Sequence, residues 1–444
     1  MSTTNGISLP QPIFNEGNIT PDPTRFKVPH PSDKQQYKEI QKLLKKDVVG
    51  FTASRSQPAD LYTLQSALGP HGPEIIKGIT KAKKIIFHSA GDTGASNAGK
   101  YKNEIKVSDQ LTSDCRVADP ANRPAFLYHL GDVVYDFGES QYYYDQFYDP
   151  FRDYPGPIFA IPGNHDSFII PKTPSVVPPL DIFSRNFCAT EINTLTPEAA
   201  SLHRTAMTQP GVYFTLDAPF VRIIGLFSNS LEDPGVISSE GLKWPTVPNV
   251  QLDFLTAQIK RIRAEKYQGA VLLAVHHPPF SYSPPPKSGG SGGNHGGSPN
   301  MLRQIDTICS AEGFYPHAFL SGHAHNYQRF TRSLTFQKSN YEVPFIVCGD
   351  GGHNVNRLVK GRKGQPAQEP QFGADVKYLE SKPAVQATGL LLKHFDDSNY
   401  GYLRITVDAA KVQIGFHQVG AGTISQSRVD MVTVDLKTHK LVAN

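Results

Sequence analysis

The 444-residue chain carries 44 Lys and Arg against 40 Asp and Glu, a formal net charge of +4, with 39% hydrophobic and 19% charged residues. So slight a basic excess implies neither a nucleic-acid nor a membrane surface, and the balance is that of an ordinary soluble globular protein. No apolar run nears the roughly 18 residues of a membrane span; AVLLAV at 270–275 is typical of the longest.

The first 23 residues lack a basic stretch followed by an apolar one, so no secretory leader is legible and a cytoplasmic location is the default expectation. Residues 1–32, rich in proline and polar groups, read as a surface arm. Ser32 is placed to cap a helix over 33–46, where Tyr37, Ile40, Leu43 and Leu44 form one stripe. A second short helix is expected through ADLYTLQSAL, 59–68. Residues 1–80 are thus expected as an arm with a helical extension, and 81–444 as the main domain. The cysteines Cys115, Cys188, Cys309 and Cys348 form no CxxC pair, which fits reduced thiols or at most two bridges.

From residue 84 a rhythm sets in: an apolar run of strand length, then a polar turn carrying ligand-type side chains. KIIFHSA precedes Gly91-Asp92, AFLYHL precedes Gly131-Asp132, and PIFAIP precedes Gly163-Asn164-His165-Asp166. AVLLAV precedes His276-His277, and HAFLS precedes Gly322-His323. Such continuous apolar runs read as strands covered on both faces. Helices are expected between them, over ESQYYYDQFYDPFRDY (139–154) and over NVQLDFLTAQIKRIRAEK (249–266), where Leu252, Leu255, Ile259 and Ile262 share a face. The alternation implies an α/β fold with its site at the carboxyl ends of the strands. Residues 283–300, SPPPKSGGSGGNHGGSPN, read equally as a mobile lid over His276 or as plain slack. Beyond about 331 the chain is β-rich and is expected to extend or edge a second sheet.

Each turn alone has a plain structural explanation: an Asp after Gly caps a helix, Asn164 tolerates a bend, and His276 beside His277 sits satisfied in a core. Five strand ends that all offer oxygen or nitrogen donors are harder to dismiss. Neighbouring strand ends lie about 5 Å apart, so these donors can converge. Asp, Asn and His make a mixed O/N site suited to Fe, Mn or Zn rather than a sulfur-rich structural zinc. They are too many for one ion, and a pair about 3.5–4 Å apart accommodates them.

The ordered set Asp92-Thr93-Gly94, Gly131-Asp132-Val133-Val134-Tyr135, Gly163-Asn164-His165-Asp166, His276-His277-Pro278 and Gly322-His323-Ala324-His325 resembles the motifs of the calcineurin-like metallophosphoesterases, and its GDxG and GDxxY forms resemble the purple acid phosphatase branch. The resemblance implies a four-layer αββα sandwich with two mixed sheets, completed by the strands after about 331. It implies one metal on Asp92, Asp132, Tyr135 and His325, and a second on Asp132, Asn164, His276 and His323, with Asp132 bridging. Where many relatives place a ligand histidine, position 94 is glycine, and a Tyr135 phenolate fills the vacancy. Phenolate favours Fe(III), with a divalent Fe, Zn or Mn ion as its partner. By formal count such a cluster, with a bridging hydroxide, carries about +1, a better trap for a phosphate dianion than a neutral one.

The implied reaction is hydrolysis of a small-molecule phosphate monoester, of acid phosphatase type, by in-line attack of a metal-bound hydroxide. A phosphodiesterase acting on cyclic nucleotides or phospholipid head groups is the alternative, and a non-catalytic binding module the second alternative. His165 is the first candidate to protonate the leaving group, and His295 in the glycine-rich loop the second. His277 and Asp166 are expected as supports, and Asn326, Tyr327 and Arg329 as candidate lining of a phosphate pocket. The resemblance departs in two places. The amino-terminal region does not read as the β-sandwich of large plant-type members, which leaves the oligomeric state open, and the family is often exported.

Overall fold

The computed structural model describes residues 42, 61–167, 180–200, 202, 204–282, 295–358, 390–420 and 424–443. The expected arm, nearly all of the expected 33–46 helix and most of the glycine-rich loop lie outside the described residues.

Among the described residues, fifteen strands make two mixed sheets. The eight-stranded sheet runs β1 (Tyr62–Thr63), β5 (Phe214–Ala218), β6 (Val221–Leu226), β7 (Ala270–Val275), β8 (Ala318–Ser321), β10 (Ser339–Cys348), β9 (Tyr327–Phe336) and β11 (Leu390–Asp396). The seven-stranded sheet runs β15 (Lys440–Val442), β14 (Arg428–Asp435), β13 (Lys411–Gln418), β12 (Gly401–Asp408), β2 (Lys84–Ala90), β3 (Leu127–His129) and β4 (Ile158–Ala160). β6, β7, β8 and β10 are parallel neighbours, as are β2, β3 and β4. The strands beyond 331 therefore serve both sheets rather than one.

The sheets face each other across one apolar core. Tyr327 of β9 stacks on Phe416 of β13 at 3.9 Å between ring centroids, and Tyr128 of β3 meets Phe214 of β5 at 6.2 Å. β6, β7 and β8 are buried along their whole length, which is why β7 reads as an unbroken apolar run, while Arg222 of β6 is paired with Asp217 and Glu265. Four helices cover the outer faces: α1 (Gly72–Ala82) and α2 (Ala98–Asp114) on the seven-stranded sheet, α3 (Val250–Ala264) and α4 (Pro299–Glu312) on the eight-stranded one. α3 buries Phe254, Leu255, Ile259 and Ile262 and carries Arg261 and Arg263 in its last turn, where the helix dipole favours cations. The layers are the αββα arrangement expected.

Two expected helices take other forms. Within ADLYTLQSAL, Tyr62–Thr63 is an edge strand paired with β5, and only Leu64–Ala67 is helical, capped by the Thr63 hydroxyl. The aromatic segment 139–154 is a 3-10 turn (Ser140–Tyr142) followed by a π turn (Tyr144–Tyr148). It buries Tyr142, Tyr143, Gln146, Phe147, Tyr148, Phe151 and Tyr154, a set no single α-helical face can present. The wider π turn brings consecutive residues 146–148 inward together.

Candidate metal centre

The parallel strands of both sheets end at one place. Asp92 follows β2, Asp132 and Tyr135 follow β3, and Asn164 and His165 follow β4; His276 follows β7, and His323 and His325 follow β8. Of the seven expected metal ligands, one sheet thus supplies the four oxygen donors and the other the three imidazoles. Asp92, Asp132 and His323 all sit in left-handed backbone, at φ 57°, 56° and 68°. Such conformations cost on the order of 1–3 kcal/mol each and concentrate at functional sites. At His323 this bend is what brings His325 to the same side as His323. Gly322 permits the approach, since a Cβ there would lie 2.5 Å from Asp92 Oδ2.

The side chains gather in two groups. In one, the Tyr135 hydroxyl lies 3.0 Å from Asp92 Oδ1 and 3.2 Å from His325 Nε2, and His325 Nε2 is 3.4 Å from Asp92 Oδ1. In the other, Asn164 Oδ1 lies 3.0 Å from His276 Nε2 and 3.1 Å from His323 Nδ1, and His276 Nε2 is 3.4 Å from Asp132 Oδ2. Asp132, His276 and His323 by themselves form a set of ligand atoms close enough to share an ion. All seven residues are buried. Gly94 makes room for the tyrosine: a Cβ there would lie 2.5 Å from the Val133 carbonyl and 3.1 Å from Tyr135 Cδ2.

The donor chemistry fits a cation. His276 Nδ1 donates to the Leu130 carbonyl at 2.8 Å, so in the neutral ring Nε2 presents a lone pair. That lone pair faces Asn164 Oδ1 and Asp132 Oδ2, which are also acceptors, and a positive charge between them relieves the repulsion. Burial alone lowers the His276 pKa, but the Asp132 carboxylate outweighs it and pushes it up to about 9. A proton therefore takes the cation's place when none is bound. Burial and the surrounding imidazoles drive His323 far below its usual value, and burial lowers His325 against the pull of Asp92; both are neutral donors. Burial and the Asp132 and Asp92 carboxylates raise the Tyr135 phenol well above its ordinary value.

Supports surround this shell. His129 accepts from the Gly131 amide and reaches the Thr93 hydroxyl, tying two of the loops together. Asp166 accepts from the amides of Gly163, Val133 and Val134, so it orders the turn backbone rather than His165. His277 is spanned by Ser228 Oγ and the Leu231 carbonyl, each at 2.7 Å. Gln146 brackets the backbone of Tyr135 through both its amide and its carbonyl.

His165 and His295 both reach the site. The His165 ring lies 4.4 Å from that of Tyr135, its Nδ1 donates to the Asp136 carbonyl at 2.7 Å, and its amide donates to Asp132 Oδ1. The His295 ring lies 4.1 Å from His323 and 5.8 Å from His325. Asp233, on the loop after β6, was not singled out by sequence. Its Oδ1 is 3.5 Å from His323 Nε2, and its Oδ2 is 3.3 Å from His295 Nδ1. That Asp233 Oδ1 and His323 Nε2 are both buried without a hydrogen bond. The only signal in the sequence was Glu232-Asp233-Pro234, which reads as any turn.

The proposed pocket residues after His325 do not join the site. Arg329 is held by Asp430 through Nε at 2.6 Å and Nη2 at 2.8 Å, and the Tyr327 hydroxyl donates to the same carboxylate. Asn326 donates to the Asn356 carbonyl and accepts from Gln328. β9 starts at Tyr327, so these side chains are committed to sheet packing.

Residues 90–327, more than half of the chain, match the model of the calcineurin-like phosphoesterase family. No curated protein matches the sequence. Among solved structures, GAP50, the anchor in the inner membrane complex of Plasmodium, aligns with a TM-score of 0.44 and 11% identity over 78% of this chain and 87% of its own. PhoD aligns with a TM-score of 0.43 and 13% identity over 82% of this chain and 72% of its own. A conserved uncharacterized protein of Streptococcus pneumoniae TIGR4, described as a predicted phosphoesterase, aligns with a TM-score of 0.27 and 8% identity over 79% of this chain and 98% of its own.

Proposed function

The chain belongs to the calcineurin-like phosphoesterase family, whose members are metal-dependent phosphoester hydrolases that generally bind two metal ions, and from that premise we propose that it is a phosphomonoesterase of the purple acid phosphatase type. The observation that carries this reading is the Tyr135 hydroxyl, 3.0 Å from Asp92 and 3.2 Å from His325, in space left by Gly94. A phenol at this point supplies the hard anionic donor that suits iron(III).

In this proposal Asp92, Tyr135 and His325 hold iron(III). Asn164, His276 and His323 hold a divalent iron, zinc or manganese ion, and Asp132 serves both. When bound, the two ions act as Lewis acids, activating water and neutralising charge on the phosphoryl oxygens. The chain's own contribution is position and protons. The Leu130 carbonyl fixes the His276 tautomer, and Asp233 Oδ1 stands 3.5 Å from His323 Nε2 while Nδ1 faces Asn164, the place from which outer carboxylates commonly orient ligand imidazoles. His165, with Nδ1–H committed to the Asp136 carbonyl, keeps Nε2 as the nitrogen that, in the imidazolium form, hands a proton to the leaving alkoxide. His295, held by Asp233 on the other side of the imidazole cluster, is the second proton donor. Residues 81–444 carry the catalytic residues in this account, while 61–80 supplies the edge strand β1 and most of α1 to the same sandwich.

Assays of phenyl phosphate and of a phosphate diester, on protein of measured metal content, test the proposal. Turnover of the monoester well above that of the diester is expected. A preference for the diester overturns the monoesterase assignment in favour of a phosphodiesterase, and no turnover of either by metal-loaded protein points to a binding module.

A further inference from the structure

Lys100 and His353 form a cluster beside the metal ligands. The loop after β10 places His353 flat against Tyr135, ring centroids 3.5 Å apart and planes 21° from parallel. His353 is fixed at three points. Its amide donates to the Asp92 carbonyl at 2.9 Å, its Nδ1 donates to the Gly94 carbonyl at 2.6 Å, and its Nε2 accepts from Lys100 Nζ at 2.5 Å. Lys100 stands in the first turn of α2, where Asn97 caps the helix and receives the Lys100 amide. Asp136 is the acidic group that faces it.

This geometry settles the charge arrangement. With both ring nitrogens engaged, one donating and one accepting, His353 is a neutral imidazole of defined tautomer. Burial and the adjacent Lys100 charge, which drive its pKa far below the usual value, agree with that. An ammonium bonded to one edge withdraws electron density from the ring, and an electron-poor face is the better partner for an electron-rich one. Asp92 and Asp132 oppose an anionic Tyr135; the Lys100–His353 pair is arranged to favour it, from the ring face and not from the oxygen.

Resting on the reading of Tyr135 as an iron ligand, we propose that Lys100 and His353 are positioning residues that fix the plane of the Tyr135 ring and set the energy of its phenolate. Lys100 acts through His353, whose ring lies 3.5 Å from that of Tyr135 and farther, 5.3 Å, from that of His325. Removing the cation should raise the phenolate donor level more than the metal acceptor level, since Coulomb effects decline with distance.

The test is the visible absorption of iron(III)-loaded protein. The wild type should show a tyrosinate-to-iron band. K100M should move that band to longer wavelength, K100R should restore its position, and H353F, which keeps a stacked ring but breaks the link, should move it in the same direction. In the H353F background K100M should add no further shift, because the path between the charge and the ring is already cut. A wild-type band that neither substitution moves, in variants that retain wild-type iron content, overturns this inference alone. Absence of any such band in iron-loaded wild type overturns the iron–tyrosinate reading and this inference with it.

Discussion

Asp233 sets its Oδ2 3.3 Å from Nδ1 of His295, while its other oxygen lies 3.5 Å from the ring of His323. One carboxylate therefore bonds a proposed proton donor and stands beside a proposed metal ligand. Replacement of outer carboxylates of this kind commonly lowers metal affinity or activity by about 10–100-fold. Asp233→Asn is expected to lower kcat within that range and to weaken binding of one of the two ions, whereas His295→Asn should lower kcat alone. Metal analysis alongside steady-state kinetics distinguishes the two.

Asp132 joins the two groups of donors. Asp132→Ala should abolish hydrolysis and bound metal together, measured as turnover and metal content of the same preparation. Turnover near wild type would remove Asp132 from the mechanism.

If His165 protonates the leaving group, His165→Ala should depend on the substrate. Loss of a general acid lowers kcat by roughly 10²–10⁴-fold where the leaving alkoxide is strongly basic, and far less for 4-nitrophenolate. Equal losses on alkyl and nitrophenyl esters would mean that His165 serves position and not proton transfer.

The strands and the candidate donors that follow them were legible because both are local: an apolar run and then a donor, with a glycine between them at four of the five strand ends. What stayed hidden depends on distant partners. Arg329 is bonded to Asp430, a hundred residues on, which no local pattern signals, and Asp233 and His353 follow β6 and β10, whose turns carry no family-like motif in the sequence reading. The aromatic run at 139–154 misleads as an α-helical stripe because burial on several sides, together with Gln146 bracketing Tyr135, selects a π turn instead.

The Arg329–Asp430 pair yields a prediction that separates structure from binding. Both side chains are largely buried, and removing one partner of a buried pair costs about 3–5 kcal/mol. Arg329→Leu should lower the unfolding midpoint markedly and leave KM for the monoester unchanged. A large rise in KM with unaltered stability would return Arg329 to the substrate pocket.

Acid should destabilise the fold at sites far from the metals. Burial holds His317 at about 4 and His417 at about 4, and burial with the neighbouring His317 holds His439 at about 3. Each is neutral when folded and takes up a proton on unfolding below its ordinary value of about 6.5. These three histidines should therefore add no pH dependence above pH 6.5 and lower stability between 6.5 and about 4, with about three protons taken up on unfolding near pH 5 from these residues. Urea midpoints across this range measure it. His317→Gln should make the slope shallower, and no fall in stability between pH 6.5 and 4 would contradict the assignment.

The central claim is that the seven side chains from Asp92 to His325 hold two ions that act together on a phosphate monoester. Titrating metal-free protein with metal while following phenyl phosphate hydrolysis tests this most directly. Activity should appear and saturate at two equivalents per chain. Full activity at one equivalent, or hydrolysis that persists without metal, would contradict it.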